Sequence, residues 1–143
     1  MNSNSPVHNE SQYLLLFRGT HWDKGLAPEE LQRVMSEWMA WFDRISASGK
    51  MVGANPLHPE GRILTGKKGR QIADGPFAES KETIAGYFLI SVDTLEEAVA
   101  LGQQCPALEY GMQVEVRPVA AACPPSIVAK EYAEAAAAAA AGA

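Results

Sequence analysis

Asp74, Glu79, Lys81 and Glu82 fall within one short stretch, ADGPFAESKE. Those residue types offer acid, base and anion-binding groups. A carboxylate in a dry setting can carry a proton, and a lysine beside it can hold a negative charge. Asp74 is the strongest candidate of the four. The Gly75-Pro76 turn that follows it would present its side chain from the end of a rigid scaffold. The same residues have a plainer reading. Pro76 fixes its own φ and biases Gly75 away from the α region, and Asp74 can accept backbone hydrogen bonds as in an Asx-turn. Phe77 would then anchor the turn by burying its ring.

Glu115 and Arg117 form a second constellation. They stand two residues apart in an alternating segment, Gln113–Val119, and so share one face of a strand. They can pair with each other or bind an anionic molecule. Tyr87 and Ser91 share a face of a neighbouring strand and are candidates to line the same space. Arg18 closes the apolar run Tyr13–Phe17 and is a further candidate anchor for an anion. His21, beside Trp22 and Asp23, has a side chain that titrates near neutrality. A lone loop histidine is more often simply solvated, and the same holds for His58. Trp38 and Trp41 fit a core-facing helix row and need no ligand.

These groups need elements to position them. Tyr13–Phe17 is a continuous apolar run and reads as a strand apolar on both sides, Leu14 and Leu16 opposite Tyr13, Leu15 and Phe17. Pro28 suits the first turn of a helix, with Glu29 and Glu30 favourable to its dipole. Leu31, Val34, Met35, Trp38, Trp41, Phe42 and Ile45 recur at helical spacing, and Gly49 fits just beyond the end. Met51–Ala54 reads as a short strand. Arg62–Thr65 and Arg70–Ala73 flank a Gly66–Gly69 tip as a hairpin. Gly86–Val92 is another strand. Asp93 with Glu96 suggests a capping box for a helix whose packing face is Leu95, Ala98, Val99 and Gly102. The tail beyond Pro124 has high helix propensity.

The order is β-α-β, a hairpin, then β-α-β. The expected fold is therefore α+β: a ferredoxin-like antiparallel sheet with two helices on one face. Residues 1–11 read as a disordered leader, 12–120 as the domain and 121–143 as a helical tail. The second apolar face of the sheet needs a cover, and the simplest is a second copy of the chain, giving a homodimer.

With 143 residues and a net charge of −5, the chain lacks the basic face of a nucleic-acid binder. Lys67, Lys68 and Arg70 read as a solvated hairpin tip. No apolar run reaches membrane-spanning length, and the polar start lacks a signal peptide's apolar stretch. The two cysteines show no metal-binding spacing and suit a reduced, cytoplasmic protein. Phosphate-cradling, zinc-protease and hydrolase-elbow motifs are missing from the sequence. No metal or other cofactor is expected.

ADGPFAESKE, GYFLI, VDTLEEA, CPALEYG and VEVRPV follow one another in order, with LLLFRG, LAPEELQRVMSEWMAWFD and ANPLHPEG upstream. This succession resembles the YCII-related, or DGPF, domain family over roughly Gln12 to Val119. The resemblance implies a ferredoxin-like fold that dimerises as an α/β barrel. It also implies kinship with small-molecule enzymes of the isomerase or lyase type, some of which are proposed to use a histidine–aspartate pair. In this chain the first helix has no histidine, so His21 in the preceding loop is the candidate, with Asp74 of the DGPF motif. Some relatives accompany sigma factors, which makes a sigma factor a conceivable partner. The resulting expectation is a cofactor-independent enzyme acting on a small anionic molecule in a dimer-interface cavity. Asp74, His21 and Glu79 would be catalytic, and Arg18, Lys81, Tyr87, Glu115 and Arg117 would bind substrate. The alternative is a non-catalytic ligand-binding or regulatory dimer.

Overall fold

The computed structural model describes residues 11–19, 21–75, 83–120 and 124–141, with side chains described from residue 129 onward in the last segment. Strand β1 (Gln12–Arg18) alternates as its sequence requires. Tyr13, Leu15 and Phe17 are buried, and Leu14 and Leu16 face the other way, half-buried. β5 (Ile84–Ser91) runs antiparallel on one side of β1, opposing Leu15 to Phe88 and Leu16 to Tyr87. β6 (Gln113–Pro118) runs antiparallel on the other side, opposing Leu15 to Val116 and Leu16 to Glu115. β2 (Met51–Pro56) pairs with the outer edge of β5. The four-stranded order is β2-β5-β1-β6, as the β-α-β-β-α-β succession predicts.

Helix α1 (Pro28–Ala47) begins after extended Ala27, with Pro28 at its first position, acids in the first turn and Arg44 in the last. It ends where the Ser48 amide still bonds the Arg44 carbonyl and Gly49 turns left-handed at φ 78°. Its fully buried row is narrower than the sequence suggests, comprising Val34, Trp41 and Ile45. Met35 remains exposed and Trp38 and Phe42 are half-buried.

Helix α2 (Leu95–Gly102) starts one residue later than predicted. Thr94 is the extended residue, and its hydroxyl accepts from the Glu97 amide at 3.1 Å, so the capping pair is Thr94–Glu97 and not Asp93–Glu96. Ala98 and Gly102 are its buried residues, whereas Leu95 and Val99 stay largely exposed. Small residues let the helix lie close to the sheet. A Cβ on Gly102 would already touch Val114, Val116 and Leu15 at 3.5–3.7 Å. Both helices thus cover the Leu15 face. Phe17, Trp41, Phe88 and Ile90 form its core, with Phe17 edge-on to Phe88 at 5.0 Å.

The hairpin is β3 (Arg62–Thr65) and β4 (Gln71–Asp74), exposed along both strands. Its tip is one residue longer than predicted. Lys68 and Gly69 take left-handed φ values, and Arg70, in right-handed helical geometry, closes the turn before β4 begins. The tail forms helix α3 (Pro124–Ala141).

Candidate functional site

Four apolar residues of α1 outside its buried row have a common destination. Met35, Trp38, Met39 and Phe42 fall at i, i+3, i+4 and i+7, on one side of the helix. They form one wall of a cleft of about 360 Å³. Phe17 and Phe88 of the sheet, with Ala54 and Pro56 of the edge strand, form the other. The cleft sits at the end of the sheet where β1 and β2 stop and β5 begins. Gly86 is part of this wall, and its lack of a side chain is required. A Cβ there would come 2.9 Å from the Asn55 carbonyl and 3.0 Å from Pro56 Cα.

The loop after β1 brings Trp22 to the same cleft. Its base is fixed by the Gly19 amide, which donates to the Thr83 carbonyl at 2.8 Å, and Gly19 takes φ 104°. Two turns, Lys24 N–H to the His21 carbonyl and Leu26 N–H to the Asp23 carbonyl, shape the path from there to α1. Trp22 lies near-parallel to Trp38, with 24° between planes and 6.2 Å between centroids. Trp38 is itself edge-on to Phe17 at 5.0 Å.

The described residues lining this cleft include no charged side chain. Asn55 and Tyr87 border it from strand positions that alternate with Ala54 and Phe88, so their side chains lie on the helix-free side, where the Asn55 amide donates to the Tyr87 hydroxyl at 3.2 Å. Such a lining is suited to a flat, mostly apolar molecule, and its volume falls within the small-molecule range.

The residues singled out from sequence separate into three places. Arg18, Glu115 and Arg117 come together on the helix-free face. Arg18 Nη1 donates to Glu115 Oε1 at 3.1 Å, and Arg117 Nε lies 3.9 Å from the other carboxylate oxygen. Asp74 is on the exposed hairpin, its side chain 86% accessible, with an ion pair to Arg62 of the neighbouring strand at 3.5 Å. His21 is exposed in the loop, next in sequence to Trp22. Tyr87 joins Arg18 and Glu115 on the helix-free face, its strand position opposite Leu16. Glu79 and Lys81 lie outside the described residues. Among the described residues, no cluster of three or more His, Cys, Asp or Glu side chains is arranged to hold a metal ion.

Sequence pattern alone places Trp38 in the core and gives no role to Trp22, Met35 or Met39 in a site. A signal is present nonetheless. Seven apolar positions on one helix make a stripe wider than one buried row needs, and the surplus edge lines the cleft.

Two other features are less suited to a ligand. A polar groove between α1 and the Pro106–Tyr110 turn includes Glu37, Arg44, Gln104 and Glu109. Several of its groups already pair with neighbours, Arg44 with Gln104 at 3.3 Å and Glu37 with Arg33 at 2.9 Å. Cys105 is buried, and that burial pushes its thiol up to about 11, which disfavours the nucleophilic thiolate.

A helix-covered antiparallel sheet with an aromatic cleft at one end defines the class of the protein, an α+β small-domain scaffold. Residues 12–121 match the YCII-related domain, so the chain belongs to the YCII-related family. Among solved structures it is similar to 5-chloro-2-hydroxyhydroquinone dehydrochlorinase (TftG) from Burkholderia phenoliruptrix AC1100, in complex with 2,5-dihydroxybenzoquinone. The two are 13% identical over 76% of this chain and 93% of that chain, with a TM-score of 0.42. No curated protein matches the chain. No helix among the described residues is long and apolar enough to cross a membrane.

Proposed function

We propose that the protein binds a small, flat, largely apolar molecule in the cleft between α1 and the β2–β5 pair, and catalyses an isomerase- or lyase-type step on it. The observation that carries this reading is the cleft itself, walled by Trp22, Trp38, Phe42 and Phe88. An anionic substituent on the ligand would project from the mouth, since the described lining offers no cation. Proton transfer is assigned to His21, Asp74 and Glu79. His21 adjoins Trp22 in the loop. Asp74 and Glu79 belong to the stretch that leads by sequence to Thr83, which is tied to Gly19 at the base of the loop.

The helix-free face serves a second purpose in this reading. Leu14, Leu16 and Leu89 share that side of the sheet, with Leu14 directly opposite Leu89. Glu115 and Arg117 flank them on β6, opposite Leu16 and Leu14, and Arg18 ends β1 on the same face. An apolar stripe edged by charge suits a second copy related by a two-fold axis. The arginines are accordingly assigned to the subunit contact and not to the ligand.

The test is a thermal-shift panel of small carboxylates and lactones, with each hit followed by proton NMR for product. A concentration-dependent rise in Tm together with a new isomer or elimination product supports the enzyme reading. Failure of every compound to bind contradicts it. A second reading, ligand binding without turnover, is favoured by the lack of charged groups in the described lining. Binding with no product over hours would select it.

A further inference from the structure

The β3–β4 hairpin stands apart from the body that carries the cleft. Among the described residues its strands pack chiefly on each other and on their own tip, with no substantial contact to α1 or to the four-stranded sheet. Every residue of both strands is exposed. A two-stranded hairpin alone in water is marginal at best. This one also carries an uncovered apolar pair. Leu64 opposes Ile72 in the register, so the two side chains share a face, and they are 61% and 64% exposed. The hairpin's charge is unlike that of the rest of the chain. Residues 62–74 hold four of the twelve lysines and arginines but one of the seventeen acids. That acid, Asp74, pairs with Arg62 inside the hairpin. Lys67, Lys68 and Arg70 at the tip make no ion pair among the described residues. The remainder of the chain has twice as many acids as bases.

We propose that the hairpin is an arm that closes on a second copy of this chain, seating Leu64 and Ile72 on the partner and the basic tip against the partner's acidic body. The proposal rests on the chain forming a dimer and goes beyond the contact assigned to the helix-free face. Charge complementarity selects the occupant. A basic arm on an acidic body is matched by another molecule of the same composition, and a two-fold axis lets both arms close at once. The chain's own body carries the same acids, yet the arm does not fold back on it, and Leu64 and Ile72 stay open. A nucleic acid is a poor match, because the acids of the body oppose its phosphates. Closing the arm also fixes Asp74, the last residue of β4, which is otherwise carried by a marginal hairpin.

Hydrogen exchange of the full chain is followed at concentrations well above and well below its dimer Kd, which analytical ultracentrifugation supplies. Amides of residues 62–74 should exchange at least about tenfold more slowly in the dimer, while those of α1 change within about twofold. Two double variants, each checked by circular dichroism for an unchanged fold, test the contact itself. Leu64→Thr with Ile72→Thr keeps strand propensity and removes the apolar pair. Lys67→Glu with Lys68→Glu reverses the charge of the tip. Each should raise the dimer Kd by about tenfold or more. Equal exchange of the hairpin in monomer and dimer, or an unchanged Kd in either double variant, overturns the arm while leaving the dimer in place. Hairpin protection that persists in a dimer which Leu16→Glu fails to split supports the arm and overturns the helix-free contact alone. A wild type that is monomeric at every concentration contradicts the dimer and removes the arm with it.

Discussion

Trp41 donates its indole N–H to the main-chain carbonyl of Leu101 at 3.1 Å, joining α1 to α2 beneath the core. Trp41 is fully buried, so this bond has little competition from water. Trp41→Phe would remove the side-chain donor, leaving the carbonyl with the Gln104 amide alone, and leave the site short of volume. A loss of about 2–4 kcal/mol is expected, read as a lower urea midpoint with an unchanged m-value. An unchanged midpoint would show that the bond does not hold the helices together.

Gly86 is constrained by its neighbours and not by its own φ. The atoms a new Cβ would meet, the Asn55 carbonyl oxygen and Pro56 Cα, are backbone, so β2 itself must move. Gly86→Ala should cost about 1–3 kcal/mol and weaken ligand binding in the cleft that β2 borders. Thermal unfolding with and without a ligand from the panel measures both effects. Full stability in the alanine variant would contradict the close approach.

Burial raises the Cys105 thiol from an ordinary value of 9.0 to about 11. The folded state therefore holds the thiol proton more tightly than the unfolded state. The associated stabilisation is complete below about pH 9 and is lost as pH rises from 9 toward 11. Its ceiling is about 1.4 kcal/mol per pH unit of difference. Urea midpoints taken between pH 8 and 11 should fall more steeply for the wild type than for Cys105→Ala. Parallel curves for the two proteins would contradict the assignment.

Much of the fold was legible because its elements depend on local pattern. The burial alternation of β1, the Pro28 start and Gly49 end of α1, and the face shared by Val114 and Val116 follow from side-chain periodicity and end chemistry. The α2 cap was misplaced by one residue because Asp93 and Thr94 are both good caps, and only backbone geometry decides between them. The site was less legible. Sequence patterns show that a side chain is apolar, but not whether it fills a core or lines a cleft. Trp38 and Trp41 are three residues apart on one helix, yet Trp41 is sealed and Trp38 borders open space. Trp22 sits in an aperiodic loop, so its stacking on Trp38 depends on tertiary placement that no spacing encodes.

The proposed subunit contact depends on Leu16, which faces away from both helices between Tyr87 and Glu115. Leu16→Glu should convert a dimer to a folded monomer, because it places a charge in the apolar stripe while sparing the core. Light scattering after size exclusion, with circular dichroism on the same sample, measures both properties. A wild-type monomer, or a Leu16→Glu dimer, would contradict a two-fold contact through this face.

The decisive comparison sets the two faces of the sheet against each other. The affinity of one ligand from the panel is measured for the wild type, Trp38→Leu and Arg117→Ala by calorimetry. A ligand seated in the aromatic cleft requires at least about a tenfold loss in Trp38→Leu and a change within about twofold in Arg117→Ala. Retained binding in Trp38→Leu with binding lost in Arg117→Ala would place the site on the helix-free face and contradict the cleft.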